Sequence, residues 1–337
     1  MKRLIKKYRQ VLSRDAIVAV DNQGAEVKEK IGVAEQLLQK SLREINYYQR
    51  QVMDEVRERI KNSGTIALSD TEIVTKIFSG LKMYLDPRDL AITPHLALDF
   101  IWEHRITAAW LAVIRPNDVV MDIGANNGYY GALAAQKTYK QGSKVYMFEA
   151  NPHLIPYVNK TIAVNFLGEQ VVLENLAVAD KSGKVTLHIL KDYIGSSSVY
   201  SDDKVKEYMP NNWRVETAEA VDVPAVSIDG YCRDHAIGKV DLIIMDIEGF
   251  EDKAYAGMKQ MIKASPSPTL FVEFTRRSYQ DPKSFYNEML KDFGNVYLLD
   301  DDGKFTMPKD TSYEGIIGDT EDWVMPIFSK KGKLADR

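Results

Sequence analysis

The sequence predicts a doubly wound α/β fold with a mostly parallel sheet, and three observations support this prediction. Short apolar runs alternate with helical stretches along residues 116–330. Several of these runs are apolar throughout, as expected of strands that helices cover on both faces. The stretch VVMDIGANNGYYG at 119–131 has the order strand, tight glycine turn and helix, which brings backbone N–H groups to a nucleotide-like ligand.

The individual strands of this α/β domain are predicted from apolar runs that end at polar or turn residues. They are expected at 119–124, 144–149, 171–178, 184–190, 241–247, 269–274, 295–300 and 323–328. Helices are expected at 129–137 and 152–166, between the first three strands. Residues 116–330 are therefore assigned to one domain.

Residues 66–115 are predicted to form a helical lead-in to that domain. Ser69 and Glu72 have the spacing of a capping box, and apolar residues follow at helical spacing from Ile73 to Leu81. Thr93-Pro94 predicts the start of a second helix that runs to about Ile114.

Residues 1–65 are predicted to form an N-terminal helical extension. From about 25 to 61 apolar side chains recur every three or four residues, which is typical of a long amphipathic helix. A seven-residue spacing within this stripe suits a coiled-coil seam, although the companion positions are weaker. The stripe could pack against a second copy, the α/β domain or a partner, and we expect a homo-oligomer.

The first fourteen residues carry six Lys and Arg side chains and no acid. A basic amphipathic helix of this kind either makes a peripheral contact with an anionic membrane or is a solvated helix. Both interpretations remain open from the sequence.

Composition excludes several classes of protein. The chain has 337 residues, 45% hydrophobic content and a net charge of −4, which argues against a general nucleic-acid binder. No apolar run reaches the ~18 residues of a membrane span. A single cysteine, Cys232, excludes an internal disulfide framework, and the five histidines lack metal-ligand spacing. We expect a cytoplasmic protein without a metal site.

The glycine turn carries details that select among nucleoside cofactors. Asp122 precedes Gly124, and Asn126 stands where a dinucleotide-binding fingerprint has its second glycine. An acid in this position repels a pyrophosphate and attracts an ammonium group. Glu149 ends the next strand and suits the two hydroxyls of a ribose. The combination favours S-adenosylmethionine over a nicotinamide cofactor.

Seven short motifs in order resemble the FkbM-type family of class I S-adenosylmethionine-dependent methyltransferases. They are DIGANNGYY, FEANP, ENLAVADKSG, GSSSVY, VSIDGYC, MDIEGFE and FVEF. The resemblance implies a Rossmann-like seven-stranded sheet and O-methylation of hydroxyl groups, often on sugars of glycans. Two positions depart from the family pattern: Ala150 replaces a proline, and a lysine is missing before Asp246.

The resemblance also implies where the cofactor binds. Its methionine part would lie at Asp122, Gly124, Asn126 and Gly128. Glu149 would bind the ribose hydroxyls with Asn151 beside it, and the segment around Ala177 would flank the adenine. Asp246 would lie beside the transferred methyl group.

The general base is expected at the end of the fourth strand of the sheet. An alcohol nucleophile benefits from a base within ~3 Å of its proton. Asp246 is the first candidate because ligands bind at the carboxyl ends of strands in such sheets, and Glu248 is the second. His104 and Glu103, on the preceding helix, could reach the rim of the site.

The acceptor is not identified by these motifs. Residues 191–222 are expected to form much of the acceptor wall, and their aromatic side chains could stack on a sugar or serve only in packing. Two other functions remain open: a catalytically inactive assembly module in glycan synthesis, and a nicotinamide-dependent oxidoreductase.

We predict that deletion of residues 25–61 lowers the oligomeric state, because the deletion removes the apolar stripe that would pair two copies. Light scattering coupled to size exclusion measures the mass of each form. An unchanged number of copies per particle after the deletion would contradict self-association through this helix.

Overall fold

The computed structural model describes residues 40–41, 64–190, 193–200, 217–320, 323–332 and 334. The chain divides into two compact units, Met1–Asn62 and Ser63–Arg337, and the following description concerns the second. The amphipathic stripe at 25–61 and the basic segment at 1–14 lie outside the described residues, apart from residues 40 and 41.

The strands of this unit are numbered in chain order. They are β1 Ile66–Ser69, β2 Glu72–Lys76, β3 Lys82–Leu85, β4 Val119–Ile123, β5 Lys144–Phe148, β6 Val171–Glu174, β7 Ala177–Val178, β8 Gly183–Leu190, β9 Thr217–Val226, β10 Leu242–Met245, β11 Thr269–Val272, β12 Asn295–Leu299, β13 Phe305–Thr306 and β14 Ile327–Ser329.

The α-helices of the same unit are also numbered in chain order. They are α1 Thr93–Leu98, α2 His104–Val113, α3 Tyr129–Lys137, α4 Ile155–Val164, α5 Ile228–Asp234, α6 Glu251–Ala256, α7 Lys259–Ala264, α8 Pro282–Phe293 and α9 Tyr313–Ile316. No helix within the described residues is long and apolar enough to cross a membrane.

The central sheet has the strand order β13-β12-β14-β11-β10-β4-β5-β6. Strands β11, β10, β4, β5 and β6 run parallel, whereas β14 is antiparallel to both of its neighbours. This confirms the predicted α/β fold with a mostly parallel sheet. The short strand β13 adds an eighth strand to the seven that the resemblance implied.

Both faces of the sheet are buried, which explains the continuous apolar character of its strands. Val120 packs in one hydrophobic cluster and Met121 in the other, because successive side chains of a strand point to opposite faces. Helices α2 and α3 cover the first face, and α5, α6 and α8 cover the second. Because β11, β10, β4 and β5 are parallel neighbours, their carboxyl ends meet at one edge of the sheet.

The predicted helix after Ser69 is wrong, and with it the first half of the predicted helical lead-in. Residues 66–85 form a three-stranded antiparallel sheet, with β1 paired to β2 and β2 paired to β3. The β-branched run Ile73-Val74-Thr75 suits a strand, and Ile73 and Thr75 point to the buried side. A capping-box spacing that falls on the turn of a hairpin is therefore coincidental.

The predicted helix from Thr93 to about Ile114 is interrupted. It consists of α1 and α2, and the connection contains Phe100 and Glu103 in left-handed backbone conformations. A left-handed residue cannot continue a right-handed helix. The interruption turns the chain so that Trp102 and Glu103 reach the carboxyl edge of the sheet.

A second three-stranded sheet, of order β7-β9-β8, was only partly expected. The predicted strand at 171–178 ends at Glu174 in the central sheet, and its last two residues form β7 in the smaller sheet. Strand β9, which was not predicted, pairs with β8 along its length. The predicted strand at 184–190 is β8 and lies outside the central sheet.

We predict that Trp110→Ala lowers the free energy of unfolding by about 3–5 kcal/mol, because it empties a buried aromatic site. Trp110 is fully buried, and its Nε1 donates to the carbonyl oxygen of Tyr130 at 3.1 Å. Urea unfolding measures the change. Phe166→Ala is the control, because Phe166 is 79% exposed and its loss changes stability by less than ~0.5 kcal/mol. Equal effects of the two substitutions would contradict this account of the core.

Candidate active site

A cavity of about 620 Å³ opens at the carboxyl ends of β4, β5, β10 and β11. This volume lies within the range of small-molecule sites, roughly 300–1,000 Å³. The cavity is lined by predicted site residues from four separate parts of the chain. These are Asp122, Gly124, Asn126, Glu149, Ala177, Asp246 and Glu248.

Gly124 allows the loops after β4 and β10 to touch. Its φ is +82°, and a Cβ added there would lie 1.8 Å from the carbonyl oxygen of Asp246. Any side chain at this position would push the two loops apart. Gly124 is therefore required by close backbone packing as well as by its left-handed conformation.

Gly128 has a structural part in the same turn and does not line the cavity. It precedes α3 with a φ of +76°, and an added Cβ would lie 2.8 Å from Cγ1 of Val158. The prediction that Gly128 contacts the cofactor has no support from this geometry, because the cavity side of the turn consists of Gly124, Ala125 and Asn126.

Glu149 is buried and joins two loops at the cavity. Its Oε2 accepts a hydrogen bond from the backbone N–H of Asn126, and its Oε1 accepts one from the N–H of Asn151, both at 2.6 Å. Burial raises the pKa of Glu149 to about 7, against the lowering effect of these two hydrogen bonds. Each carboxylate oxygen retains a second acceptor position for a ligand hydroxyl.

Asn151 acts behind the cavity rather than in its lining. Its Nδ2 donates to the carbonyl oxygen of Ile194 at 3.1 Å and to Oγ of Ser197 at 3.3 Å. Asn126 similarly donates through Nδ2 to the carbonyl oxygen of Gly195 at 3.2 Å. The two asparagines hold the serine loop at 194–198 against the cavity, where Ser196 and Ser197 line it.

Asp122 connects the end of β4 to the start of α3. Its Oδ2 accepts a hydrogen bond from the N–H of Gly131 at 2.7 Å. Burial, with smaller contributions from the nearby carboxylates of Glu149 and Asp246, raises the pKa of Asp122 to about 7. A cation in the cavity would relieve this repulsion.

Asp246 is exposed to the interior of the cavity, whereas the strand before it is buried. Its position deep in the molecule raises its pKa to about 6, with a contribution from the negative charge of Glu103. Above that pH it is an ionised carboxylate that a substrate can reach. This meets the requirement for a general base.

The loop after Asp246 is shaped by Glu251, a residue that the sequence analysis did not select. Its Oε1 accepts from the N–H of Ile247 at 2.9 Å and of Gly249 at 3.3 Å. Its Oε2 accepts from the hydroxyl of Tyr279 at 2.8 Å.

Glu248, in this loop, has a left-handed φ of +55° and lines the cavity, and burial raises its pKa.

The prediction that His104 reaches the site is wrong. His104 is exposed on the surface of α2 and does not line the cavity. The preceding residue, Glu103, lines it instead, with a φ of +40° and with Oε2 accepting from the hydroxyl of Tyr130 at 2.7 Å. The interruption between α1 and α2 decides this, because it turns Glu103 inward and leaves His104 on the outer face.

Glu273 is a cavity residue that the sequence analysis did not single out. It follows β11 within the FVEF motif, next to the end of β10. The rule that selected Asp122, Glu149 and Asp246, an acid at the carboxyl end of a sheet strand, would have found it. Burial and the neighbouring carboxylates raise the pKa of Glu273 well above the usual value.

The lining of the cavity is not only acidic. It also includes Leu90, Ala91, Ile92, His95, Trp102, Thr275, Arg277, Trp323 and Met325. Of the expected acceptor wall at 191–222, residues 201–216 lie outside the described residues. Tyr193 and Tyr200 are described, but neither lines the cavity.

Metal binding has no structural counterpart in the described residues. Within them, no group of three or more His, Cys, Asp or Glu side chains is arranged to hold a metal ion.

Comparison with known proteins identifies the domain. Residues 122–299, more than half of the chain, match the model of the methyltransferase FkbM domain family. The 2-O-methyltransferase NoeI of Sinorhizobium fredii is 23% identical over 154 residues, which are 44% of this chain and 60% of NoeI. The chain thus spans less than two thirds of that relative.

Two solved structures align with this chain at low identity and low TM-score. Methyltransferase FkbM from Methylobacillus flagellatus has a TM-score of 0.39 and 14% identity, covering 65% of this chain and 47% of that one. TYW2 of M. jannaschii in complex with AdoMet has a TM-score of 0.37 and 15% identity, covering 78% of this chain and 87% of that one.

We predict that the ligand-free protein becomes less stable as the pH rises from about 4 to 7. Asp122, Glu149 and Glu251 have folded-state pKa values near 7, above the values of about 4 in an unfolded chain. The folded state therefore binds more protons between about pH 4 and 7, and stability falls through that window. Urea unfolding at several pH values measures this fall.

Asp122→Asn isolates one of these carboxyl groups. The amide still accepts a hydrogen bond from Gly131 but does not ionise. We therefore expect the fall in the free energy of unfolding with rising pH to be smaller by roughly 1–3 kcal/mol. Asp180→Asn is the control, since Asp180 is exposed and outside the cavity. Stability curves of wild type and Asp122→Asn that run parallel would contradict the assignment.

Proposed function

We propose that this chain, which belongs to the FkbM methyltransferase family, methylates a hydroxyl group of a sugar in a glycan or glycolipid. Family membership makes it a methyltransferase with S-adenosylmethionine as the cofactor. The observation that carries the proposal is the position of Asp246. It is exposed in a cavity whose lining contains both the acids that suit the cofactor and aromatic residues that suit an acceptor.

The residues of the cavity fit S-adenosylmethionine. Asp122, Glu149 and Asp246 bring three carboxylates to one cavity, and burial raises the pKa of each. A ligand with a sulfonium and an ammonium group compensates this charge. Asp122 would face the ammonium group, Glu149 the ribose hydroxyls, and Ala177 the adenine side.

When bound, the cofactor supplies an activated methyl group, so the protein needs mainly to position the acceptor and exclude water. Asp246 can accept the proton of an attacking hydroxyl. The serine loop at 194–198, held by Asn126 and Asn151, covers one side of the cavity. These features support transfer to oxygen.

Aromatic residues in the cavity lining support a sugar acceptor. Trp102 and Trp323 line the cavity with polar Thr275 and His95, a combination that can stack on a sugar ring and bind its hydroxyls. The name of the relative NoeI, a 2-O-methyltransferase, agrees with transfer to oxygen.

We further propose a homo-oligomer in the cytoplasm that contacts membranes at most peripherally. The apolar stripe at 25–61 supports the oligomer, and the basic residues at 1–14 support the membrane contact. These proposals concern the N-terminal region and are independent of the cavity.

We predict that S-adenosylmethionine binds the protein with a stoichiometry of one per chain. Asp122→Asn and Glu149→Gln should each weaken binding at least about tenfold, or ~1.4 kcal/mol. Glu174→Gln is the matched control: it also ends a strand at this edge, but its Oε1 accepts from the hydroxyl of Tyr231 and it does not line the cavity. Isothermal titration calorimetry measures the affinities.

We predict methyl transfer to at least one member of a panel of neutral, amino and acidic oligosaccharides. Mass spectrometry detects the added methyl group, and NMR assigns it to an oxygen atom. Asp246→Asn should lower the rate by about 10²–10⁴-fold, a larger loss than the weakening of cofactor binding that removal of its charge causes. Cofactor binding without any product would favour the assembly module, and binding of NADH instead would favour the oxidoreductase.

A further inference from the structure

The candidate base has a carboxyl partner on the neighbouring strand. Strands β10 and β11 are parallel, with Met245 paired to Val272, so that Asp246 and Glu273 are the next residues on each strand. The N–H of Glu273 donates to the carbonyl oxygen of Met245 at 3.0 Å, which fixes this alignment. Both side chains line the cavity, and this cross-strand position places the Glu273 carboxyl within hydrogen-bonding reach of Asp246.

A hydrogen bond between two carboxyl groups needs a proton between them. Burial raises the pKa of Glu273 well above the usual value, whereas the pKa of Asp246 rises only to about 6. The proton therefore belongs mainly to Glu273, and Asp246 is the ionised partner at neutral pH.

The surroundings of the pair agree with this assignment. The carboxylates that act on the pair come from every element around it: Glu103 before α2, Asp122 on β4, Glu149 after β5, Glu248 in the loop after β10, and Glu251 on α6. Arg277 is the cationic side chain among the lining residues that follow β11. A second ionised carboxylate beside Asp246 would be repelled by these surrounding carboxylates, so Glu273 retains its proton.

We propose that Glu273 is a positioning residue for the methyl transfer, donating its proton in a hydrogen bond to Asp246. This bond stabilises the ionised form of Asp246 and directs its remaining lone pairs into the cavity, towards the acceptor hydroxyl. The proposal rests on the proposed function, since it assigns Glu273 a part in the same reaction.

The proton balance of the reaction follows directly. A bond forms between the acceptor oxygen and the methyl carbon, the carbon–sulfur bond breaks, and its electron pair stays on sulfur. The hydroxyl proton passes to Asp246. The pair then holds two protons, one on each carboxyl group, and releases one to solvent before the next transfer.

Two substitutions separate the hydrogen bond from the bulk of the side chain. Glu273→Gln keeps a donor to Asp246, because the amide N–H₂ replaces the carboxyl O–H. Glu273→Leu has a similar size and no donor. Since the bond from Glu273 lowers the pKa of Asp246, its loss in Glu273→Leu should raise that pKa, while Glu273→Gln should restore it.

The test is a pH titration of the ligand-free protein labelled with ¹³C at aspartate side-chain carboxyl carbons. The Asp246 signal is assigned by its loss in Asp246→Asn. We expect a midpoint of about 6 in wild type. Glu273→Leu should raise it by about one pH unit, a tenfold change in the ratio of ionised to protonated form. Glu273→Gln and the control Glu174→Gln should stay within ~0.3 units of wild type.

Equal midpoints in wild type and Glu273→Leu would overturn the proposal. Should Glu273→Leu fail to fold, ¹³C-glutamate labelling of the wild type decides, with the Glu273 signal assigned in Glu273→Gln. The proposal requires that Glu273 stays protonated while Asp246 titrates. Ionisation of Glu273 at a lower pH than Asp246 would refute the proposed hydrogen bond.

The oligosaccharide that gives product then tests the link to catalysis. The acidic limb of kcat against pH should move to higher pH in Glu273→Leu and return in Glu273→Gln. A uniform loss of rate with an unmoved limb would mean a merely structural role. The titration needs neither cofactor nor acceptor, so failure of methyl transfer with an intact titration would reject the proposed function and leave the carboxyl pair standing.

Discussion

The backbone contact between Gly124 and Asp246 is the constraint on which the rest of the site depends. It brings the loops after β4 and β10 so close that only hydrogen fits at the α-carbon of Gly124. The contact sets Asp246 beside the glycine turn, and the parallel register of β10 and β11 then sets Glu273 beside Asp246. The cavity thus results from the strand order and from the glycine at position 124.

The same contact brings several acidic side chains into a buried region, which lowers the stability of the folded protein. Burial raises the pKa of Asp122, Glu149 and Glu251 to about 7, so each carboxyl group is harder to ionise than in water. Left-handed residues also lie at the cavity: Glu103, Asn126 and Glu248. Strain and unfavourable burial that persist at one place are typical of a binding site whose ligand supplies the compensation.

The α/β fold and most of the cavity could be predicted because their signals are local. In strands such as those that end near Asp122 and Glu149, the apolar run that predicts the strand lies directly beside the acid that predicts the site. The hairpin at 66–85 could not be predicted, since Ser69 and Glu72 satisfy a capping-box spacing in a turn as well as in a helix. The inward turn of Glu103 in place of His104 depends on a left-handed backbone that no short pattern encodes. The serine loop likewise depends on contacts between residues more than forty positions apart, such as Asn151 and Ile194.

The central claim is that the buried carboxylates are arranged for a cationic cofactor. The most direct test compares the affinities of S-adenosylmethionine and S-adenosylhomocysteine, which differ by the charged methylsulfonium, between pH 5.5 and 8. The account predicts that the preference for S-adenosylmethionine rises several-fold over this range, as Asp246 ionises near pH 6 and Asp122 and Glu149 near pH 7. A ratio of affinities that is constant with pH would contradict it.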